Sequence, residues 1–221
     1  MTVGSDSDRL DRLEASLLSA MISMAPAGIH LGCRIIRADD EKRLLPEERS
    51  AVTTRDRDAR RASGAARHLA RGLLENLGHK GIAIGRERSG RPLWPAGVVG
   101  SLAHDGAVAV AAVASNRAIA SLGIDVELVA PLPDDISPLV ITLSDNPGTI
   151  GAGVAGRLIF AAKEAVFKAA YALDGALLDY DDIDLDLDTS LARTRTGHAA
   201  KLFWCLDPRI VVLAMIPGGD V

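Results

Sequence analysis

Cysteine is almost absent from this chain: Cys33 and Cys205 are its only two, far apart in sequence and without a ligand-like spacing to any histidine. That excludes a disulfide framework and a zinc site, and leaves both thiols as packing residues in apolar runs. A basic surplus is also missing. With a formal charge of -4 and a pI near 5.7, the composition argues against a nucleic-acid binder, whose phosphate contacts call for excess positive charge. There is no long hydrophobic run either. The longest weakly polar stretch, from Val98 to Ala114, contains His104 and Asp105 and is too short to cross a bilayer. The opening MTVGSDSDRLDRLE lacks both the basic start and the apolar stretch of a signal peptide, so the expectation is a soluble, cytoplasmic protein. What is present, 221 residues at 48% hydrophobic, is enough to bury the core of one large domain or two small ones packed together.

The pattern of apolar residues alternates between helix and strand periods. Leu10, Leu13, Leu17, Leu18 and Met21 have the spacing of an amphipathic helix over residues 6–24. Gly28 to Arg37 reads as a strand. Pro46 to Leu77 is helix-compatible and dense in arginine, with Pro46 near its start, Gly78 as its C-cap and Gly64 as a point of division. The runs 82–84, 98–102, 108–114 and 119–126 read as strands of a buried sheet. From Pro131 to Gly156 the composition turns to Pro, Gly, Asp and Ser, which predicts a weakly ordered connection. Leu158 to Leu173 is again helical, and 183–187, 201–206 and 210–216 read as strands. Helix followed by strands occurs in both halves. The expected fold is therefore α+β, two pseudo-symmetric α/β halves, 1–117 and 118–221, each a small antiparallel sheet packed by a long helix.

Three clusters can carry chemistry. In SLGIDVEL, Asp125 and Glu127 lie two apart and share one face of a strand while Ile124 and Val126 point to the core. Two adjacent carboxylates suit Mg2+, which takes few protein oxygens and shares its shell with phosphates; the plain alternative is a solvated strand end. In FAAKEAVFKAAY, Glu164 and Lys168 lie four apart on one helix face with Lys163 adjacent, a spacing that an ordinary surface ion pair also has. In GSLAHDG, Ser101 and His104 close a strand. No G-x-S-x-G elbow accompanies them, which disfavours hydrolase chemistry.

Taken in order, GRPLWPAGVVGSLAHDG, SLGIDVE and FAAKEAVFKA resemble the signature blocks of the 4'-phosphopantetheinyl transferases of the long monomeric, surfactin/enterobactin-synthase type, and look nearest to the enterobactin-synthase branch. The resemblance implies transfer of the 4'-phosphopantetheine group of coenzyme A to a serine of an apo acyl or peptidyl carrier protein, with release of 3',5'-ADP. It implies that Asp125, Glu127 and Glu164 hold Mg2+, or Mn2+ in its place. Lys168 would contact the phosphates and offset charge on the leaving group. Ser101 and His104 would bind coenzyme A phosphates, and Arg67 its 3'-phosphate, with Lys163 a further match. Glu164, or a water, would be the base.

The sequence departs from the family pattern in three places. A second family arginine falls on Ala59, with Arg60 beside it as a substitute. Asp105 follows His104, where an added carboxylate is unhelpful to phosphate binding unless it points away. The 131–156 segment lacks the charged helix usual before the last block. These departures motivate an alternative, a coenzyme A- or nucleotide-binding module of the same fold with impaired transfer. As partners the reading expects an acidic carrier protein, steered by the arginines between Arg49 and Arg71 and docked on Leu139, Val140, Ile141 and Leu143. It expects neither nucleic acid nor membrane, and a monomer.

Overall fold

A computed structural model describes residues 3–52 and 54–219. Helix α1 (Val3–Met24) leads into β1 (Ile29–Ile35), the short α2 (Pro46–Ala51), the long α3 (Arg57–Asn76), a small hairpin β2 (Gly85–Arg86) and β3 (Pro92–Leu93), then β4 (Val98–His104) and β5 (Val108–Ser115). The second half follows as β6 (Ile119–Glu127), α4 (Ser137–Val140), α5 (Ala152–Asp174), β7 (Ile183–Asp186), β8 (Leu191–Thr194), β9 (Ala199–Cys205) and β10 (Ile210–Pro217). The first half has a three-stranded antiparallel sheet in the order β1-β5-β4, and the second a five-stranded one in the order β6-β10-β9-β8-β7. No helix is long and apolar enough to cross a membrane among the described residues.

Strand alternation distributes the core into layers. In β5, Val108, Val110, Ala112 and Ala114 face a cluster shared with α1, β6 and β10, whereas Ala111 and Val113 face α3. Both faces are covered, so β5 reads as one apolar run. In β10, Ile210, Val212, Ala214 and Ile216 pack under α5, while Val211 and Leu213 join the shared cluster. Fully buried Leu17 and Met21 of α1 plug into that same cluster. The two halves thus bury one another's sheets, and the seam between them runs along β4 and β6.

Two glycines set how close the helices lie. A Cβ at Gly123 would collide with the Ala165 carbonyl, so α5 lies directly against β6. A Cβ at Gly64 would likewise meet the Asp40 carbonyl, which lets the Asp40–Arg43 turn sit on α3.

Several sequence expectations need correction. Gly64 does not divide the arginine-rich helix; α2 ends at Ala51 and α3 starts at Arg57, where the Asp56 carboxylate accepts from the Asp58 N–H at 2.9 Å and caps a new helix. Gly78 does end it, with φ of 86° and a Schellman pair of bonds, Gly78 N–H to Glu75 O and His79 N–H to Leu74 O, each 3.0 Å. Residues 82–84 form no strand, although Ile84 is buried. Helix α5 starts six residues earlier than its apolar period suggests. The 131–156 segment is not loose: Asp145 forms a buried ion pair with Lys163 at 2.8 Å, and Asn146 bridges to Asp186. Within it Val140 is fully buried, which removes it from the predicted surface run, while Leu139 and Leu143 remain exposed at 67% and 108%.

Candidate active site

Asp125 and Glu127 stand on β6, on the face that meets α5, because Leu122, Ile124 and Val126 take the opposite face into the shared core. From α5, Lys168 reaches back across the Gly123 contact. Its Nζ donates to Asp125 Oδ1 at 2.6 Å and to the Ile124 carbonyl at 3.1 Å. Glu164 lies one turn earlier, and its Oε1 accepts from the Tyr180 hydroxyl at 2.9 Å. Arg157, two turns earlier still, donates to Glu127 Oε2 at 3.1 Å. Three carboxylates and two cations therefore line the seam between one strand and one helix.

The electrostatics of the acids are those of charges held at a cost. Burial, opposed by Lys168 but reinforced by Glu164 and Glu127, pushes the Asp125 carboxyl up to about 6. Burial also raises Glu127, with Arg157 opposing and Asp105 and Glu164 adding to the rise. Asp125 Oδ2 is buried and has no hydrogen-bond partner. An orphaned carboxylate oxygen on Asp125, with Glu127 and Glu164 as negative neighbours, is the environment a hard divalent cation relieves, so this donor set fits Mg2+. Another acidic group, Asp179, Asp181 and Asp182, has closer-set oxygens, but Asp182 is committed to Arg195 and the group lies on an exposed turn.

Beside the acids a cleft of about 740 Å3 opens between the halves, within the size range of small-molecule sites. Arg67, Ser101 and His104 line it from the first half and Phe167, Lys168 and Tyr171 from α5, so Lys168 connects cleft and acids. Arg67 is only 6% exposed, and its Nε donates to the Ile84 carbonyl at 3.0 Å, leaving the rest of the guanidinium available. Burial lowers it from the ordinary value, opposed by Glu48 and reinforced by Arg86 and Arg71; an arginine stays protonated nonetheless. Ser101 Oγ accepts from the Ile124 N–H at 3.1 Å, and so ties β4 to β6 where the two sheets meet. Burial, then Lys168, lowers His104, with Asp105 opposing, which favours a neutral imidazole at pH 7.

The family model for the 4'-phosphopantetheinyl transferase N-terminal domain matches residues 41–114, and that for the 4'-phosphopantetheinyl transferase superfamily matches residues 121–214. The chain is similar to 4'-phosphopantetheinyl transferase Npt of Nocardia iowensis, 32% identical over 80% of each chain. It is also similar to PptT of Mycobacterium tuberculosis, 34% identical over 66% of each chain, and to enterobactin synthase component D of Escherichia coli, 30% identical over 63% of this chain and 68% of the relative. The chain belongs to the 4'-phosphopantetheinyl transferase family.

Two residues expected in the site of this phosphopantetheinyl transferase lie elsewhere. Lys163 is fully buried on the far side of α5, bound to Asp145 and to the Tyr180 carbonyl at 2.8 Å each, so it has no contact to offer a phosphate. Arg60 does not line the cleft: it faces Glu41 at 3.4 Å and donates to the Thr54 and Arg55 carbonyls. Ala59 lines the cleft instead, and cations come from Arg86 and Arg91 of the β2–β3 hairpin. Asp105 does not line the cleft. Its Oδ1 accepts from the Ala107 and Val108 N–H groups at 2.9 and 2.8 Å, and its Oδ2 pairs with Arg209 at 2.7 Å. The arginine cluster is mostly neutralised as well, Arg57 and Arg60 by Glu41, Arg61 by Asp58 and Arg71 by Glu48.

Sequence reasoning missed Arg86, Arg91, Trp94, Arg157 and Tyr180. Arg91 and Trp94 stand inside the first signature block without an assigned role. Trp94 closes over Gly100, where a Cβ would meet its ring at 2.8 Å. Nothing in the local sequence marks Tyr180 or Arg157, whose roles depend on tertiary approach.

Proposed function

We propose that the cleft binds coenzyme A and that the transfer takes place at its Lys168 end, onto a serine of an apo acyl or peptidyl carrier protein, leaving 3',5'-ADP. The observation that carries this reading is the convergence of Asp125, Glu127 and Glu164 beside Lys168 at the end of a cleft whose other wall carries Arg67, Arg86 and the Glu87-paired Arg91. Asp125, Glu127 and Glu164 would hold Mg2+, or Mn2+. When bound, the ion supplies charge neutralisation at the diphosphate and holds it in place.

The chain's own residues supply the rest. Arg67, with Arg86 and Arg91, binds the phosphates, and the forked guanidinium suits the 3'-phosphate. His104, neutral, donates to a phosphate oxygen without adding net charge. The serine oxygen of the carrier attacks the phosphorus that bears the pantetheine; that bond forms as the bond to the 3',5'-ADP oxygen breaks. Glu164 takes the serine proton, and Lys168 offsets the charge on the departing ADP. Positioning of two substrates across one seam accounts for much of the rate. A pure binding module has no need of three acids gathered beside a phosphate-binding cleft.

The division of labour is proposed as 1–117 for holding coenzyme A and 118–221 for metal and chemistry. Exposed Leu139 and Leu143 supply the apolar contact with the carrier, and the protein acts as a cytoplasmic monomer. Leu139→Asp or Leu143→Asp should then raise the carrier KM without changing coenzyme A affinity; parent-like carrier kinetics in both would remove that surface. The reading as a whole is tested by incubating the protein with coenzyme A, Mg2+ and a panel of apo carriers and weighing each carrier intact. A carrier heavier by one phosphopantetheine supports it, and no mass change across the panel overturns it.

A further inference from the structure

Lys163 and Tyr180 are unused in the reaction as described, and the structure joins them. Lys163 pairs with Asp145, and both side chains are 0% exposed. The Asp145 carboxylate also accepts from the Thr142 N–H at 2.8 Å, the Thr142 hydroxyl at 3.1 Å and the Leu185 N–H at 3.2 Å. A pair so deep is tolerated only when its remaining polar atoms are satisfied, and here they are. The lysine spends a further proton on the Tyr180 carbonyl at 2.8 Å. The Tyr180 ring packs beside Phe160, centroids 6.0 Å apart, and its hydroxyl returns to α5 to donate to Glu164 Oε1. Among the described residues this is the one hydrogen bond the Glu164 carboxylate receives from the protein.

Neighbouring residues on a helix project about 100° apart, so Lys163 and Glu164 cannot serve the same face directly. The turn that carries Tyr180 bridges that angle. We propose that Lys163 and Tyr180 are positioning residues for the transfer: the buried Lys163–Asp145 pair fixes the Tyr180 backbone, and the phenol fixes the Glu164 carboxylate by one oxygen and leaves the other free. A neutral donor suits the task. It orients the carboxylate without the neutralisation that a lysine or arginine would bring, and partners of this kind around metal ligands tune affinity and reactivity. The inference rests on the reading of Glu164 as an acting group, and it replaces a phosphate contact as the role of Lys163.

The test uses Tyr180→Phe and Lys163→Met in the full chain. Three quantities are read: kcat, the KM for coenzyme A, and Mn2+ affinity by electron paramagnetic resonance. Tyr180→Phe is expected to lower kcat and Mn2+ affinity about 10- to 100-fold with the coenzyme A KM unchanged. Lys163→Met is expected to do the same, and the double variant to lose little beyond either single one, since both act through one contact. Parent-like kcat and Mn2+ affinity in Tyr180→Phe overturn the proposal. So does Lys163→Met that chiefly raises the coenzyme A KM, the signature of a phosphate contact. If Lys163→Met does not fold, Tyr180→Phe decides alone. A parent that modifies no carrier would instead refute the functional reading, and the Mn2+ affinities of parent and Tyr180→Phe would still decide the positioning role.

Discussion

Helices α3 and α5 each lie on a small antiparallel sheet, and each is drawn in by a glycine that leaves no room for a Cβ, yet they use their charged residues differently. In α3 the closely approached partner is a turn, Asp40–Arg43, and the buried charges serve the architecture. Glu48 is fully buried and accepts from Arg71 at 2.7 Å, from the Ile84 N–H at 2.9 Å and from the Leu45 N–H at 2.9 Å. Arg67 alone looks into the cleft with much of its guanidinium unspent. In α5 the closely approached partner is β6 itself, which brings Glu164 and Lys168 against Asp125 and Glu127. The first half pairs its fully buried carboxylates, Asp40 and Glu48, within the protein. The second leaves a buried carboxylate oxygen without a partner, and such a group is retained where a ligand completes it.

The largest expected effect of breaking this contrast is on the acids. Glu127→Gln and Glu164→Gln should each lower kcat about 100-fold or more, since each removes a charged oxygen ligand of the ion that would neutralise the reacting phosphates, while coenzyme A affinity read in chelator stays near that of the parent. Steady-state kinetics with calorimetry on the same samples reads both. Removing Arg67 should do the reverse. Loss of a charged hydrogen-bonding partner corresponds to about a 10- to 100-fold weaker hold on coenzyme A, and Arg67→Ala should also erase the preference for coenzyme A over its dephospho form.

A smaller effect sharpens the electrostatic side. In chelator, the Asp125 carboxyl ionises near 6 in the folded protein against an ordinary 3.8. Below about 4 both states are protonated; as pH rises the unfolded chain gives up its proton first, so stability falls between about 4 and 6 and stays lower above. The loss is on the order of 3 kcal/mol. Thermal melts against pH should show that slope in the parent and not in Asp125→Asn, and Mg2+ should restore the parent's stability above pH 6.

The smallest effect separates the two helices. Gly64→Ala and Gly123→Ala should each cost about 1–3 kcal/mol through overpacking. Only Gly123→Ala should also lower kcat of the folded enzyme, because only that contact sets the distance from α5 to the acids. Equal kcat in the two variants, measured after correction for folded fraction, would remove the distinction.

Much of this was legible in the sequence because it is local. Alternation in residues 119–127 fixes which face of β6 carries Asp125 and Glu127, and a four-residue spacing puts Glu164 and Lys168 on one face of α5. The long helices, most strands and the order of the signature blocks follow from the same periods. What was not legible depends on partners distant in sequence. Lys163 looks like a ligand beside Glu164, and only the fold shows that Asp145 takes it. Arg60 looks like a replacement for Ala59, but Glu41 holds it. Asp105 looks harmful until Arg209 and two backbone N–H groups are seen to absorb it. The proline- and glycine-rich segment read as loose because composition does not reveal the Lys163–Asp145 anchor, and β8 escaped because Leu191 to Thr194 is short and half exposed.

The most direct test of the account is the rate at which an apo carrier gains one phosphopantetheine in mass when the protein and coenzyme A are supplied with Mg2+ and, in parallel, with excess chelator. Modification in Mg2+ that stops in chelator is the predicted result. Modification at the same rate in both would contradict the assignment of Asp125, Glu127 and Glu164 as the groups that hold the ion.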